Sequence, residues 1–275
     1  MEAGNPAHEP VASRPVKTQT NAQWAVVTGA SSGLGLEFAT ALAARGVHLV
    51  LVARREAPMQ ELATTLRAQH GIEVVVDVAD LGEPNAAARL AARLDTRGID
   101  ADILINNAAF GLSGEFVEHD AERLHAMLQL GVVAMTELSY QFGQRMVARG
   151  HGRMLLVASI AALQPTPLLA AYGATKAYVL SLGEALNVEM APVGVTVLLP
   201  GFMHTGFGGV ADFNPPALVQ STALEPALVA KIGLDAMFAG RSSVVAGGLN
   251  RFAALFAGWM PRHLLAKLVF RFSRG

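Results

Sequence analysis

Seven short apolar runs, spaced by longer amphipathic ones, limit what this chain can fold into. The runs occupy residues 24–28, 47–52, 72–77, 102–106, 153–158, 194–199 and 243–246. They are almost continuous in hydrophobicity, as parallel strands buried on both faces are. Between them the apolar spacing becomes helical, over 33–45, 56–70, 84–96, 120–149, 170–191 and 226–240. Strand alternating with helix predicts an α/β fold, a doubly wound parallel sheet of about seven strands with helices on both faces. With 52% hydrophobic and 16% charged residues, the chain has enough apolar material to cover such a sheet twice. No repeat or linker breaks the rhythm, so residues 23–248 are expected to form one domain.

The ends differ from this middle. Residues 1–22 are polar and proline-bearing, without the apolar core of a secretory signal, and read as a disordered tail. Residues 249–275 are apolar but carry Arg251, Arg262, Lys267, Arg271 and Arg274, with Pro261 dividing them into two helical pieces. They read as a helical extension of the domain. Two readings stay open for its role: helices capping the domain or a second subunit, or a basic amphipathic surface in weak peripheral contact with a membrane.

Bulk properties remove several function classes. The formal net charge is −1 and no basic stripe stands out, which argues against nucleic acid as a partner. There is no cysteine, so no disulfide or thiolate chemistry. His119 and His125 are six residues apart, off a common helix face, and no metal site is expected. No apolar run reaches the ~18–20 residues that span a bilayer. A cytoplasmic location is the default expectation.

The first strand runs into Thr28-Gly29-Ala30-Ser31-Ser32-Gly33-Leu34-Gly35, which opens the first helix. Glycines allow a tight turn and close approach of the backbone to a pyrophosphate. The helix start beyond supplies N–H groups and partial positive charge. This predicts a single-domain Rossmann fold with a dinucleotide on the turn. The second strand ends in Ala53-Arg54-Arg55, where an NAD-selective site carries an acidic residue. Two arginines suit a ribose 2′-phosphate instead, so NADP(H) is the expected cofactor. Tyr172 and Lys176 stand four apart on a predicted helix and share a face. An ammonium so placed would lower the phenol pKa by ~1–3, towards the range of a general acid–base. Ser159 ends the preceding strand, where its hydroxyl can hold a substrate carbonyl.

Together these residues resemble the short-chain dehydrogenase/reductase family, from about residue 24 to 205. The matching pieces are the turn above, Asn106-Asn107-Ala108, Ser159, Tyr172-Gly173-Ala174-Thr175-Lys176 and Pro200-Gly201. The resemblance implies that Tyr172 donates or accepts the proton. Lys176 would lower its pKa and bind the nicotinamide ribose, and Ser159 would orient the carbonyl. It implies cofactor contacts from Gly29, Ser31, Ser32, Gly33, Leu34, Gly35, Arg54, Arg55, Pro200 and Gly201. Asp77 and Val78 would lie beside the adenine, Asn106 and the backbone at Ala108 under the ribose, and Thr205 near the carboxamide. Arg54 resembles the NADP-preferring branch of the family.

Two positions depart from that pattern. Ala109 replaces a glycine. Gly131 stands where the family has a helix asparagine whose main-chain carbonyl helps hold a water linking the lysine to solvent. Gly131 keeps a carbonyl and loses the side chain. An NADP(H)-binding protein with weak or no catalysis, in a sensor or partner role, is therefore the alternative to an active oxidoreductase. Walls expected from residues 110–116, 161–169 and 202–216 include Phe202, Met203, Phe207 and Phe213, with Leu218 nearby, and suit a hydrophobic carbonyl compound or secondary alcohol. The apolar girth of 120–149 and 170–191 fits a homodimer, as the resemblance also implies.

Overall fold

The structure, a computed structural model, describes residues 23–203, 220, 222–248 and 260–274. Its seven parallel strands are β1 (Trp24–Thr28), β2 (His48–Ala53), β3 (Val74–Val78), β4 (Ala101–Asn106), β5 (Arg153–Val157), β6 (Gly194–Leu199) and β7 (Ser243–Val245). They lie in the order β3-β2-β1-β4-β5-β6-β7. The chain winds outward one way from β1 to β3, then returns to start β4 on the other side of β1. A crevice opens at the carboxyl ends of β1 and β4, where ligands of such sheets bind.

The helices fall into two layers. On one face α1 (Gly33–Ala43), α2 (Glu56–His70) and α7 (Pro226–Phe238) pack on alternate strand residues such as Ala25, Val27, Ile103, Ile105 and Leu155. On the other, α3 (Ala86–Thr96), α5 (Met135–Arg149) and α6 (Ala170–Glu189) cover Val26, Leu104, Met154, Leu156 and Val197. The strand period of two assigns each residue to a layer. A last helix, α8 (Arg262–Arg274), follows the sheet. Residues 1–22 and 249–259 lie outside the described residues, as do Thr205, Phe207, Phe213 and Leu218.

Strand and helix edges shift by a few residues from expectation. β3 starts at Val74, and α3 starts at Ala86 because Asn85 takes a left-handed backbone, φ +58°. The single helix expected over 120–149 is corrected. It is α4 (Ala121–Leu128), a π turn at Gln129–Ala134 and α5. The π turn holds Gly131, whose lack of side chain and neighbouring valines weaken the ordinary helical ladder there. Short π insertions recur at functional sites.

Layer parity also decides where the Asn106 side chain goes. Asn106 shares parity with Leu104, so its side chain enters the α5 layer and not the crevice. It is 1% exposed, and its Nδ2 donates to the Met135 carbonyl at 2.9 Å and to Ser139 Oγ at 3.3 Å. Asn106→Asp would set a buried carboxylate against the Met135 carbonyl. We expect a loss of about 3–5 kcal/mol at neutral pH. The folded-state pKa of the new acid is raised, so the loss shrinks as pH falls and the protonated acid donates in place of the amide. Urea unfolding of parent and variant, at pH 7 and in mild acid, measures both.

Candidate active site

The phosphate turn is built on Thr28, fully buried at the end of β1. Its hydroxyl donates to the Ile105 carbonyl at 3.3 Å and accepts from the amides of Asn107 at 2.9 Å and Ala108 at 3.0 Å. Asn107 Nδ2 returns a bond to the Thr28 carbonyl at 2.9 Å. Gly29 follows in a left-handed conformation, φ +68°. A Cβ on Gly35 would fall 2.2 Å from the Gly29 carbonyl oxygen. Only glycine permits α1 to start that close to the turn. No side chain caps α1 at Ser32, so its positive end faces the crevice.

Arg55 closes the turn from the second strand. One guanidinium nitrogen donates to Ser31 Oγ at 3.1 Å and to Ser32 Oγ at 2.7 Å. Arg54 points elsewhere, 3.7 Å from Asp80 and largely exposed. Of the two arginines, Arg55 is therefore the one seated on the turn. The sequence shows only the pair, just beyond the end of β2. Gly33 and Leu34 form the first residues of α1, as expected.

Asp77 and Val78 end β3 two strands from the turn. Val78 is half exposed and borders a cavity of about 190 Å³ with Ala79, Asp80 and Arg89. Asp77 is buried, and both its oxygens accept from Arg93 of α3, at 2.8 and 2.6 Å. Arg93 was missed in the sequence, although Asp77 has the parity of Val75, which faces α3. Asp77 thus has its carboxylate braced by a guanidinium. Among the described residues no group of acids, histidines or cysteines could hold a metal ion.

The carbonyl end lies at the mouth of β5. Ser159 follows the strand by two residues and accepts from the Ala161 amide at 3.2 Å. Tyr172 is partly buried and its hydroxyl is hydrogen-bonded to Ser159. Lys176, one turn further along α6, donates to the Val157 carbonyl at 2.9 Å, and its ammonium is 5.7 Å from the Tyr172 ring centre. Pro200 binds the same corner, its carbonyl accepting from the Ile160 amide at 2.9 Å. Gly201 continues from it. Ser159, Tyr172 and Lys176 are thus brought together, and the turn and Ala108 line the neighbouring crevice. Thr205 lies outside the described residues.

The electrostatics of this triad differ from expectation. Burial pushes the Tyr172 phenol up to about 12, and the Ser159 hydrogen bond opposes that rise only in part. Burial pushes the Lys176 ammonium down to about 8. The spacing of four predicts that the lysine lowers the tyrosine pKa. Desolvation is the largest cause of both shifts.

Comparisons with known proteins fit this geometry. Residues 23–212 match the family described as short chain dehydrogenase. The chain belongs to the short-chain dehydrogenase/reductase family. The very-long-chain 3-oxoacyl-CoA reductase of Laccaria bicolor is 31% identical over 63% of this chain and 52% of its own length. The probable oxidoreductase EphD of Mycobacterium tuberculosis is 33% identical over 69% of this chain and 32% of its own. The chain thus spans about half, or less, of these relatives. A short-chain dehydrogenase from Sphingobium yanoikuyae, solved with NADPH, is 32% identical, with a TM-score of 0.77 over 86% of this chain and 93% of that one. The bulky-bulky ketone specific alcohol dehydrogenase of Comamonas testosteroni is 28% identical, with a TM-score of 0.73 over 88% and 96%.

The depressed Lys176 pKa has a signed consequence. Between about pH 8 and 10.5 the unfolded chain holds a proton that the folded chain has lost, so this lysine's penalty is full below pH 8 and fades as pH rises to 10.5. Lys176→Met should stabilise the protein at pH 7 by about 1–3 kcal/mol, net of the lost Val157 bond. The gain should shrink towards pH 10. Urea midpoints of both proteins at the two pH values check it.

Proposed function

We propose that the chain is an NADP(H)-dependent oxidoreductase that interconverts a carbonyl and a secondary alcohol on a hydrophobic small molecule, running mainly as a reductase. The observation that carries this reading is the Ser159–Tyr172–Lys176 cluster at the mouth of β5, beside a turn whose backbone admits no Cβ at Gly35. The turn fits a dinucleotide: the uncapped start of α1 suits a pyrophosphate, and Arg55 with Ser31 and Ser32 suits a 2′-phosphate. Bound NADPH supplies the hydride. Ser159 donates a hydrogen bond to the carbonyl oxygen and fixes its direction. Tyr172, held protonated by burial, delivers its proton to that oxygen as charge develops there. Lys176 stabilises the phenolate left behind, its charge worth more in a dry site than in water.

The substrate class rests on apolar walls, among them Leu112 and Ala161, both buried. The names of relatives point the same way: one is a very-long-chain 3-oxoacyl-CoA reductase and another a bulky-bulky ketone specific alcohol dehydrogenase. We also assign a homodimer across the outer face of α5 and α6. There a groove of about 340 Å³ lined by Tyr140, Val147, Leu182 and Leu186 lies open, and Tyr140 and Val147 are exposed. Residues 23–248 act as the catalytic domain in this reading. A cytoplasmic location accords with it, and no helix among the described residues is long and apolar enough to cross a membrane.

Gly131 favours a second reading, an NADP(H)-binding protein with little turnover. A Cβ there would lie 3.6 Å from Thr175, in ordinary contact, so the missing side chain is not excluded by space. NADPH oxidation across a panel of ketones and aldehydes separates the readings: binding with no turnover supports the second. In an active protein Tyr172→Phe should lower kcat by at least ~100-fold, the usual worth of a general acid, with the NADPH Kd unchanged. Stopped-flow turnover and fluorescence titration measure the two.

Cofactor choice has its own test. Arg55→Ala removes two hydrogen bonds over the turn. It should weaken NADPH binding by about 10–100-fold, as loss of a charge-assisted contact does, while NADH binding changes little. Titration with each nucleotide reads the difference.

A further inference from the structure

We propose that α8 docks the protein in the plane of an anionic lipid surface. The helix presents two neighbouring exposed rows, each with a spacing of four. His263, Lys267 and Arg271 form a basic row. Leu264, Leu268 and Phe272 form an apolar row and are 47%, 40% and 63% exposed. Leu265, 6% exposed, anchors the helix on its other side. Residues 262–274 carry Arg262, Lys267, Arg271 and Arg274 and no acid, in a chain of formal net charge −1.

A bilayer suits both rows at once. An amphipathic helix lying flat places its apolar residues at the acyl boundary, while long cationic side chains reach the headgroup phosphates beside them. Each cation near an anionic surface adds attraction that salt screens. A protein partner suits them less. Three apolar residues in one row offer far less than the ~800 Å² a side that specific interfaces bury. Docking of this kind would bring the protein to a phase where apolar carbonyl compounds concentrate. The inference does not depend on turnover, since its readout is partition alone.

The test is co-sedimentation of the full chain with vesicles of phosphatidylcholine and phosphatidylglycerol in equal parts, and with vesicles of phosphatidylcholine alone. Binding to the first only, falling with added salt, supports the proposal. Replacing Lys267 and Arg271 together by Gln should weaken that partition about 30-fold. Phe272→Ser should weaken it further at unchanged thermal midpoint, which separates lost docking from lost folding. No sedimentation with anionic vesicles, or equal sedimentation with both kinds, overturns the proposal. So does a smaller oligomer for Phe272→Ser in light scattering, which would show that a second copy covers the apolar row.

Discussion

The hydroxyl of Thr28 joins the two halves of the sheet at the point where ligands enter. It has no access to solvent, and it bonds three backbone groups across the β1–β4 seam. A buried hydroxyl without partners would cost several kcal/mol, so its bonds fix the geometry around it. With the Asn107 amide they lock the start of the phosphate turn to the end of β4. The close approach of Gly35 to Gly29, the exposed end of α1 and the seat of Arg55 follow from that lock. The crevice is thus preorganised by the protein's own hydrogen bonds.

The carbonyl end is organised by the opposite force. Its groups are held by burial, and burial alone makes Tyr172 a weaker acid and Lys176 a weaker base. These two shifts are complementary. A tyrosine kept protonated has a proton to give, and a lysine near its own pKa can change charge as the phenolate forms. The stability given up in holding a desolvated lysine is offset by the apolar layers around α6. Function and stability therefore oppose one another at Lys176, as they commonly do in active sites.

Much of this was legible in the sequence because it depends on local rules. Continuous apolar runs gave the strands, the glycine spacing gave the turn, and a spacing of four placed Tyr172 with Lys176. Three features needed the third dimension. Asn106 is expected under a ribose, and its parity with Leu104 shows only in the fold that its side chain enters the α5 layer. Asp77 was read with an adenine alone, and the same parity brings Arg93 from sixteen residues away. The effect of Lys176 on Tyr172 was read from distance without the burial of both. Parity was available in the sequence; which layer each parity meets depends on the winding of the whole chain.

The π turn at Gln129–Ala134 shows how one residue links fold and site. An uninterrupted helix from 121 to 149 would carry every residue after Gly131 at a different angle to the sheet. The inserted residue rotates α5 so that the Met135 carbonyl meets Asn106 and Ser139, tying the helix to the end of β4. It also sets Gly131 against Thr175, whose hydroxyl donates to the Tyr172 carbonyl at 2.7 Å. Gly131 thus adjoins the turn of α6 that carries Tyr172 and Lys176. What the glycine presents to that turn is backbone, whose position the π turn sets. A side chain at this position would meet α6 beside the triad, at Thr175.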